Sequence, residues 1–218
     1  YNILTKLTVM KLNLNKYFIK KNIQRPLIIA EVSANHCGKK SIFLKSITSA
    51  AKNGADLIKI QTYEAKDITV NKNFNLKNWN KKKIWKLYTK AQTPYSWHKD
   101  AFKLAKKLNI NLFSSPFSER AVDFLSSLDV KIFKITDLKL VDKIAKTKKP
   151  VIISTGMASV KEIDTCIKTV NKYHNRIALL HCVSGYPTPE NQANLKRILT
   201  LQKKFKKFNI GLSDHTSD

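Results

Sequence analysis

The chain has 218 residues, with 41 lysine and arginine residues against 15 aspartate and glutamate residues, and a formal net charge of +26. This length allows one α/β domain with a substantial core. Only four of the basic residues are arginines, and the lysines fall on predicted helix surfaces without a zinc-finger, RNA-binding or basic-zipper motif. The charge therefore indicates solvated helix faces and argues against a nucleic-acid partner.

The cysteine pattern and the N-terminal sequence predict a cytoplasmic protein. Cys37, Cys166 and Cys182 are odd in number and lack CxxC spacing, which indicates reduced thiols. No apolar run approaches the ~18 residues of a membrane span, so we expect no membrane partner. Lysines interrupt every apolar stretch near the N-terminus, which excludes a signal-peptide core. We interpret residues 1–22 as an N-terminal extension in which Met10 is the natural start.

Seven short, nearly continuous apolar runs predict buried parallel strands. They occupy residues 27–33, 57–63, 110–117, 131–135, 150–156, 177–186 and 209–215. Helical patterns lie between them: Gly54 is placed to end the helix after the first strand, and a capping box from Ser159 to Glu162 begins the helix after the fifth. This alternation, without a repeat or a linker, predicts one parallel α/β domain over residues 23–218, either doubly wound or closed as a barrel.

The alternation of side chains along the predicted strands favours the barrel. Neighbouring residues on a strand point to opposite faces, and each run has one face that ends in polar groups. These polar residues are Glu31, Lys59, Gln61, Ser115, Lys134, Ser154, Ser184, Ser213 and His215. A barrel collects its active site from all strands at the C-terminal mouth, whereas a doubly wound sheet uses one switch point. We therefore predict a TIM (β/α)₈-type barrel, with seven of its eight strands in this chain.

The polar residues of this mouth indicate a chemistry. Lys59 and Lys134 would place two ammonium groups in one cavity, which favours an anionic ligand, and serine hydroxyls would complete a phosphate or carboxylate site. His215 is a candidate ligand for a divalent metal, and Glu31 could orient a sugar hydroxyl or move a proton. Each residue alone has an ordinary alternative, such as a helix cap for Ser154. Together they predict a phosphorylated anion that meets a carbonyl compound.

Seven motifs occur in a fixed order over about residues 23–218: IIAEVSANHCG, GADLIKIQTY, FSSPF, FKI, PVIISTGMAS, LLHCVSGYPTPE and GLSDHT. In this order and at this spacing they resemble the sialic acid synthase family. That family condenses phosphoenolpyruvate with an N-acetylated sugar. SANH and TPYSWHKDAF are similar to the pseudaminic acid synthases, whose acceptor is 2,4-diacetamido-2,4,6-trideoxy-altrose. N-acetylneuraminate and legionaminate synthases are the alternatives within the family.

The resemblance implies a role for each predicted site residue. Six residues match positions that hold the phosphate and carboxylate of phosphoenolpyruvate: Lys59, Ser115, Lys134, Ser154, Ser184 and Ser213. Glu31, Gln61 and Tyr186 match positions around the acceptor sugar. His215 matches one of two histidines that bind a divalent metal, Mn²⁺ or Mg²⁺, and joins Glu31, Lys59 and Lys134 as the catalytic set. The full-length protein would be a homodimer.

Three departures from the family accompany the resemblance. After Lys134 and Ile135 the chain passes directly to Thr136, where the family has a further short segment with a serine and a glutamate. Cys37 stands where the family usually has asparagine. The family's eighth strand, with the second metal histidine, and its C-terminal antifreeze-like domain are not found in these residues.

Three alternative functions remain beside the sugar-acid synthase. A phosphoenolpyruvate-condensing barrel that acts on phosphorylated aldoses would differ in its acceptor, and a basic nucleic-acid-binding protein would show steep salt dependence. An inactive barrel fragment would fold without catalysing the reaction. Because one imidazole is a weak metal site, we expect the chain alone to bind manganese poorly.

Overall fold

The computed structural model describes residues 14–19, 23, 25–71 and 84–217. Within these ranges seven parallel strands form one sheet in sequential order. The strands are β1 (Ile29–Glu31), β2 (Leu57–Thr62), β3 (Asn111–Pro116), β4 (Phe133–Ile135), β5 (Val151–Ser154), β6 (Ile177–His181) and β7 (Asn209–Leu212). Each lies inside the corresponding predicted run, so the predicted strands are confirmed. The expected natural start at Met10 lies outside the described residues.

The predicted sixth and seventh strands are too long at their C-terminal ends. Ser184 and His215 lie in loops after β6 and β7, because the chain leaves the sheet at His181 and Leu212. The two loops then meet, since the backbone N–H of Thr188 donates to the carbonyl oxygen of His215 at 2.7 Å. Both residues therefore still lie at the C-terminal end of the sheet.

Helices lie before β1 and between the strands in the described ranges. They are α1 (Asn15–Phe18), α2 (Lys40–Lys52), α3 (Ala65–Ile68), α4 (Ile84–Ala91), α5 (Tyr95–Lys107), α6 (Glu119–Ser127), α7 (Val141–Lys146), α8 (Val160–Asn171) and α9 (Lys196–Lys204). The predicted capping box is present, with Ser159 and Glu162 bonded reciprocally at the start of α8. Gly54 follows α2 with a φ of 91°, in the left-handed region that favours glycine. No helix within these ranges is both long and apolar enough to cross a bilayer.

The strand order selects the barrel over the doubly wound sheet. A doubly wound sheet reverses its strand order at a switch point, whereas here every strand pairs with its successor in the chain. The sheet curls into an incomplete barrel, and among the described strands β1 and β7 each pair on one side only. A cavity of about 770 Å³ fills the interior and reaches the space between these two edges.

The core lies inside the curled sheet and between the sheet and its helices. Phe113 and Ile152 point into the interior, while α2 buries Phe43 and Ile47 against the outer face. Full burial of each such side chain stabilises the fold by roughly 1.5–3 kcal/mol. Helix α1 lies at the N-terminal end of the strands, where Asn209 at the start of β7 donates from Nδ2 to the carbonyl oxygen of Tyr17 at 2.9 Å. This packing leaves the C-terminal end of the sheet as the mouth.

Candidate active site

Lys59 and Glu31 form an ion pair on the inner face of the sheet. They are direct register partners on β2 and β1, and Lys59 Nζ contacts the Glu31 carboxylate. The Lys59 side chain is 6% exposed, whereas that of Glu31 is 41% exposed. Burial lowers the pKa of the Lys59 ammonium group, and the Glu31 carboxylate opposes this effect. The pair therefore holds a buried ammonium group beside a carboxylate that solvent and ligands can reach.

Lys134 brings a second ammonium group into the same cavity. Its Nζ donates to Ser213 Oγ at 3.1 Å. Burial, together with repulsion from Lys59, lowers the pKa of Lys134 to about 8. Lys59 and Lys134 both line the cavity, as the side-chain parity of the sequence requires. Two ammonium groups near one carboxylate leave a net positive charge that an anion can offset.

Two serine hydroxyls on the strands next to β2 and β4 have no hydrogen-bond partner in the described part of the chain. They are the buried Oγ atoms of Ser115, on β3, and Ser154, at the end of β5. Leaving such a group unsatisfied costs about 1–3 kcal/mol, so a polar ligand at this end of the barrel would gain by bonding them. Ser184 lies close by, because a Cβ atom on Gly156 would meet its Oγ at 3.2 Å.

The short connection after β4 places no further carboxylate at the mouth. Asp137 caps the turn that follows, since its Oδ1 accepts from the backbone N–H of Lys139 at 2.9 Å. Asp214 lines the cavity but accepts hydrogen bonds from the backbone and side chain of Thr216. Glu31 is therefore the cavity carboxylate that faces the two lysines.

His215 has a fixed tautomer. Its Nδ1 donates to the carbonyl oxygen of Val183 at 2.7 Å, so Nε2 carries the lone pair. Nε2 accepts from the Tyr186 hydroxyl at 3.3 Å, and the two rings lie with centroids 4.2 Å apart. This orientation is the one that metal-ligating histidines adopt. Among the described residues, however, no three His, Cys, Asp or Glu side chains could hold a metal ion together. His215 thus fits a metal as a single ligand.

Four histidines lie outside the mouth: His36, His98, His174 and His181. His181, at the end of β6, donates from Nε2 to the carbonyl oxygen of Ala193, which precedes α9, at 2.9 Å. His36 and His98 are both fully buried. His98 Nε2 accepts from the Thr62 hydroxyl at 2.9 Å, and its ring packs on Phe124. The sequence carries no local signal for this buried position of His98, because Thr62 and Phe124 lie far away along the chain.

A contact that sequence analysis also missed joins Ser33 to Gln61. Ser33 Oγ donates to Gln61 Oε1 at 2.7 Å, between the loop after β1 and strand β2. Gln61 pairs in register with Ser115 and lies one inward position beyond Lys59. In the sequence, this contact is indicated only by the spacing of Ser33, which lies two residues after Glu31 and therefore points to the same face.

Comparison with known proteins shows the family of the chain. The NeuB family model matches residues 46–218. The chain belongs to the NeuB family. It is 40% identical over 205 residues to the pseudaminic acid synthase of Helicobacter pylori, covering 89% of this chain and 60% of that protein. It is 38% identical over 207 residues to the N,N'-diacetyllegionaminic acid synthase of Campylobacter jejuni, covering 89% of this chain and 62% of that protein.

A solved structure with detectable sequence similarity has the same fold. The N-acetylneuraminic acid synthetase of Leptospira borgpetersenii, in complex with citrate, superposes with a TM-score of 0.76 at 33% sequence identity. The match covers 87% of this chain and 65% of that one. The predicted barrel and the resemblance to sialic acid synthases are therefore confirmed. The chain spans about three fifths of the length of the two synthases it matches.

Proposed function

We propose that this chain is the barrel part of a synthase that joins phosphoenolpyruvate to the aldehyde of an open-chain, N-acetylated amino sugar. The products are a nine-carbon sugar acid of the pseudaminic type and phosphate. The observation that carries the proposal is the pair of buried ammonium groups, Lys59 and Lys134, which face one cavity. The unpartnered hydroxyls of Ser115 and Ser154 lie on the neighbouring strands, one inward position closer to the C-terminal end than the register partner of each lysine. Such a set fits a small ligand that bears both a phosphate and a carboxylate.

The proposed reaction follows from these groups. C3 of phosphoenolpyruvate attacks the aldehyde carbon, and the aldehyde oxygen takes a proton and becomes a hydroxyl group. Water adds at C2, and phosphate leaves from the tetrahedral intermediate. Lys59 and Lys134 would stabilise the charge on the departing phosphate, because charge stabilisation is strong in a water-poor site. Glu31 would accept or return a proton at the edge of the mouth, where it reaches solvent.

For the acceptor we propose 2,4-diacetamido-2,4,6-trideoxy-altrose. The SANH and TPYSWHKDAF motifs and the similarity to the Helicobacter enzyme support this sugar. The similarity to the Campylobacter legionaminic enzyme is nearly as high, so the legionaminic precursor is the second candidate. Gln61, Ser184 and Tyr186 would contact the sugar or the phosphoenolpyruvate at the same end of the barrel.

Further proposals concern the metal, assembly and location. A divalent ion, Mn²⁺ or Mg²⁺, would bind Nε2 of His215 and polarise the aldehyde when present. Tyr186 would then have to release Nε2, which it contacts in this structure. We also propose that the full-length protein is a homodimer and that it is located in the cytoplasm.

Binding of phosphoenolpyruvate tests the proposal without requiring turnover. Calorimetry should show that Lys59→Ala and Lys134→Ala each weaken binding by about 1.5–3 kcal/mol, the value of a charged hydrogen bond. Lys161→Ala removes the same charge from the exposed face of α8 and should leave the affinity unchanged. Equal affinity in all three variants would remove this site. Adding each candidate sugar to the longest available form of the protein and measuring released phosphate then identifies the acceptor.

A further inference from the structure

The contact between Ser33 and Gln61 determines which part of the Gln61 amide faces the mouth. Ser33 Oγ donates to Gln61 Oε1 at 2.7 Å, so the amide oxygen is turned toward the loop after β1. No described residue accepts a hydrogen bond from Gln61 Nε2. The side chain shares its face of β2 with Lys59, two residues earlier, so it lies beyond Lys59 toward the C-terminal end of the sheet. The amide N–H₂ group is thus a donor that a ligand can use.

The backbone on both sides of Ser33 is held in place. The N–H of Val32 donates to the carbonyl oxygen of Lys59 at 2.8 Å, which continues the ladder beyond β1. After Ser33, the 3₁₀ turn Ala34–His36 buries the His36 imidazole. His36 Nδ1 accepts from the N–H of Gly38 at 3.0 Å, and Nε2 donates to the Thr93 hydroxyl at 3.3 Å. Ser33 therefore lies between two anchored segments.

We propose that Ser33 is a positioning residue that selects the acceptor sugar through Gln61. An unrestrained glutamine can present either its oxygen or its nitrogen, whereas the Ser33 contact presents the nitrogen. At this position the mouth would therefore favour a ligand with an oxygen acceptor, such as the carbonyl of an acetamido group. The sugar half of this inference rests on the proposed function, but the orientation of Gln61 does not.

The orientation can be measured without any ligand. The chain has five glutamines, so ¹⁵N labelling of their side chains gives five pairs of amide N–H signals, and Gln61→Glu identifies one pair by deleting it. Ser33→Ala should move the Gln61 pair toward the position of an exposed amide, and Ser33→Thr, which keeps the hydroxyl, should move it less. Ser41→Ala is the matched control on the exposed side of α2. An unmoved Gln61 pair in Ser33→Ala overturns the inference.

Selectivity is measured with the diacetamido sugar and phosphoenolpyruvate as probes. Ser33→Ala should weaken sugar binding about three- to ten-fold, the effect of one lost hydrogen bond, and leave phosphoenolpyruvate affinity unchanged. Ser33→Thr should restore sugar binding, and Gln61→Glu should abolish it because a carboxylate cannot donate. If Ser33→Ala weakens both ligands equally, the residue is structural and the positioning role is wrong. If the unaltered chain binds neither ligand, the proposed function fails, while the amide signals still decide the role of Ser33.

Discussion

Glu31 and Lys59 face each other across the register of β1 and β2, and their ion pair is the only one formed between neighbouring strands in the described sheet. We expect Glu31→Gln to lower the free energy of unfolding by about 1–3 kcal/mol, because it leaves the buried ammonium group without its carboxylate. The exposure of Glu31 keeps this effect below that of a fully buried pair. The midpoint of urea unfolding measures the change.

The double variant Glu31→Gln with Lys59→Met is the control for this prediction. Replacing both partners of a buried pair is often neutral, so it should recover much of the lost stability. Phosphoenolpyruvate should also stabilise Glu31→Gln more than the unaltered chain, since it would supply the missing negative charge. A midpoint that Glu31→Gln leaves unchanged would contradict the importance of the pair.

The pKa of Lys134 predicts how anion binding depends on pH. Burial lowers this pKa to about 8, so the ammonium form is lost as the pH rises through that value. Phosphoenolpyruvate affinity should fall between about pH 7 and pH 9, by less than tenfold per pH unit. Stability without ligand should rise as the pH increases from about 8 toward 10.5, because the unfolded chain keeps the proton that the folded chain releases. Lys134→Met should weaken both dependences, and what remains is expected from Lys59, whose pKa burial also lowers.

The sequence predicts the face on which the two lysines lie, but it does not predict the burial of His36 and His98. The period of two along a strand places Lys59 and Lys134 on one face, because that period is a property of the backbone alone. The burial of His36 and His98 depends instead on residues such as Thr93, Phe124 and Thr62. Their approach is set by tertiary packing, which no local pattern encodes.

The same distinction explains the errors at the ends of β6 and β7. An apolar run indicates where a strand can extend, but the loops after these strands bond to each other through Thr188 and His215. The orientation of Gln61 and the tautomer of His215 likewise depend on single hydrogen bonds between distant segments. The strands and the face that bears the site are thus predictable, whereas the hydrogen bonds that orient its side chains are not.

The buried His98 predicts acid sensitivity. Burial lowers its pKa to about 4, and Nδ1 donates to the carbonyl oxygen of Pro94 while Nε2 accepts from Thr62. Because the unfolded chain takes up a proton near pH 6.5 and the folded chain does not, stability should fall as the pH drops from about 6.5 toward 4. His36 contributes in the same direction, since burial lowers its pKa as well.

Two substitutions test the contribution of His98. His98→Ala should destabilise the fold by about 2–4 kcal/mol at neutral pH, because it leaves a cavity and an unsatisfied Thr62 hydroxyl. His98→Phe fills the space and should weaken the loss of stability between pH 6.5 and 4. Unfolding curves at several pH values measure both effects. If the acid loss is the same in His98→Phe as in the unaltered chain, His98 does not cause it.

The unpaired edges of the described sheet predict self-association of the 218-residue chain when it is studied by itself. Strand β7 pairs only with β6 in the described sheet, and Leu212, at its exposed end, is 41% exposed. An unpaired, apolar strand edge can pair with another chain, and lysine on such an edge opposes this. We expect Leu212→Lys to raise the concentration at which light scattering detects aggregates. Leu199→Lys makes the same change on helix α9, where Leu199 is 63% exposed. If Leu199→Lys protects as well as Leu212→Lys, added surface charge is the cause and the strand edge is not.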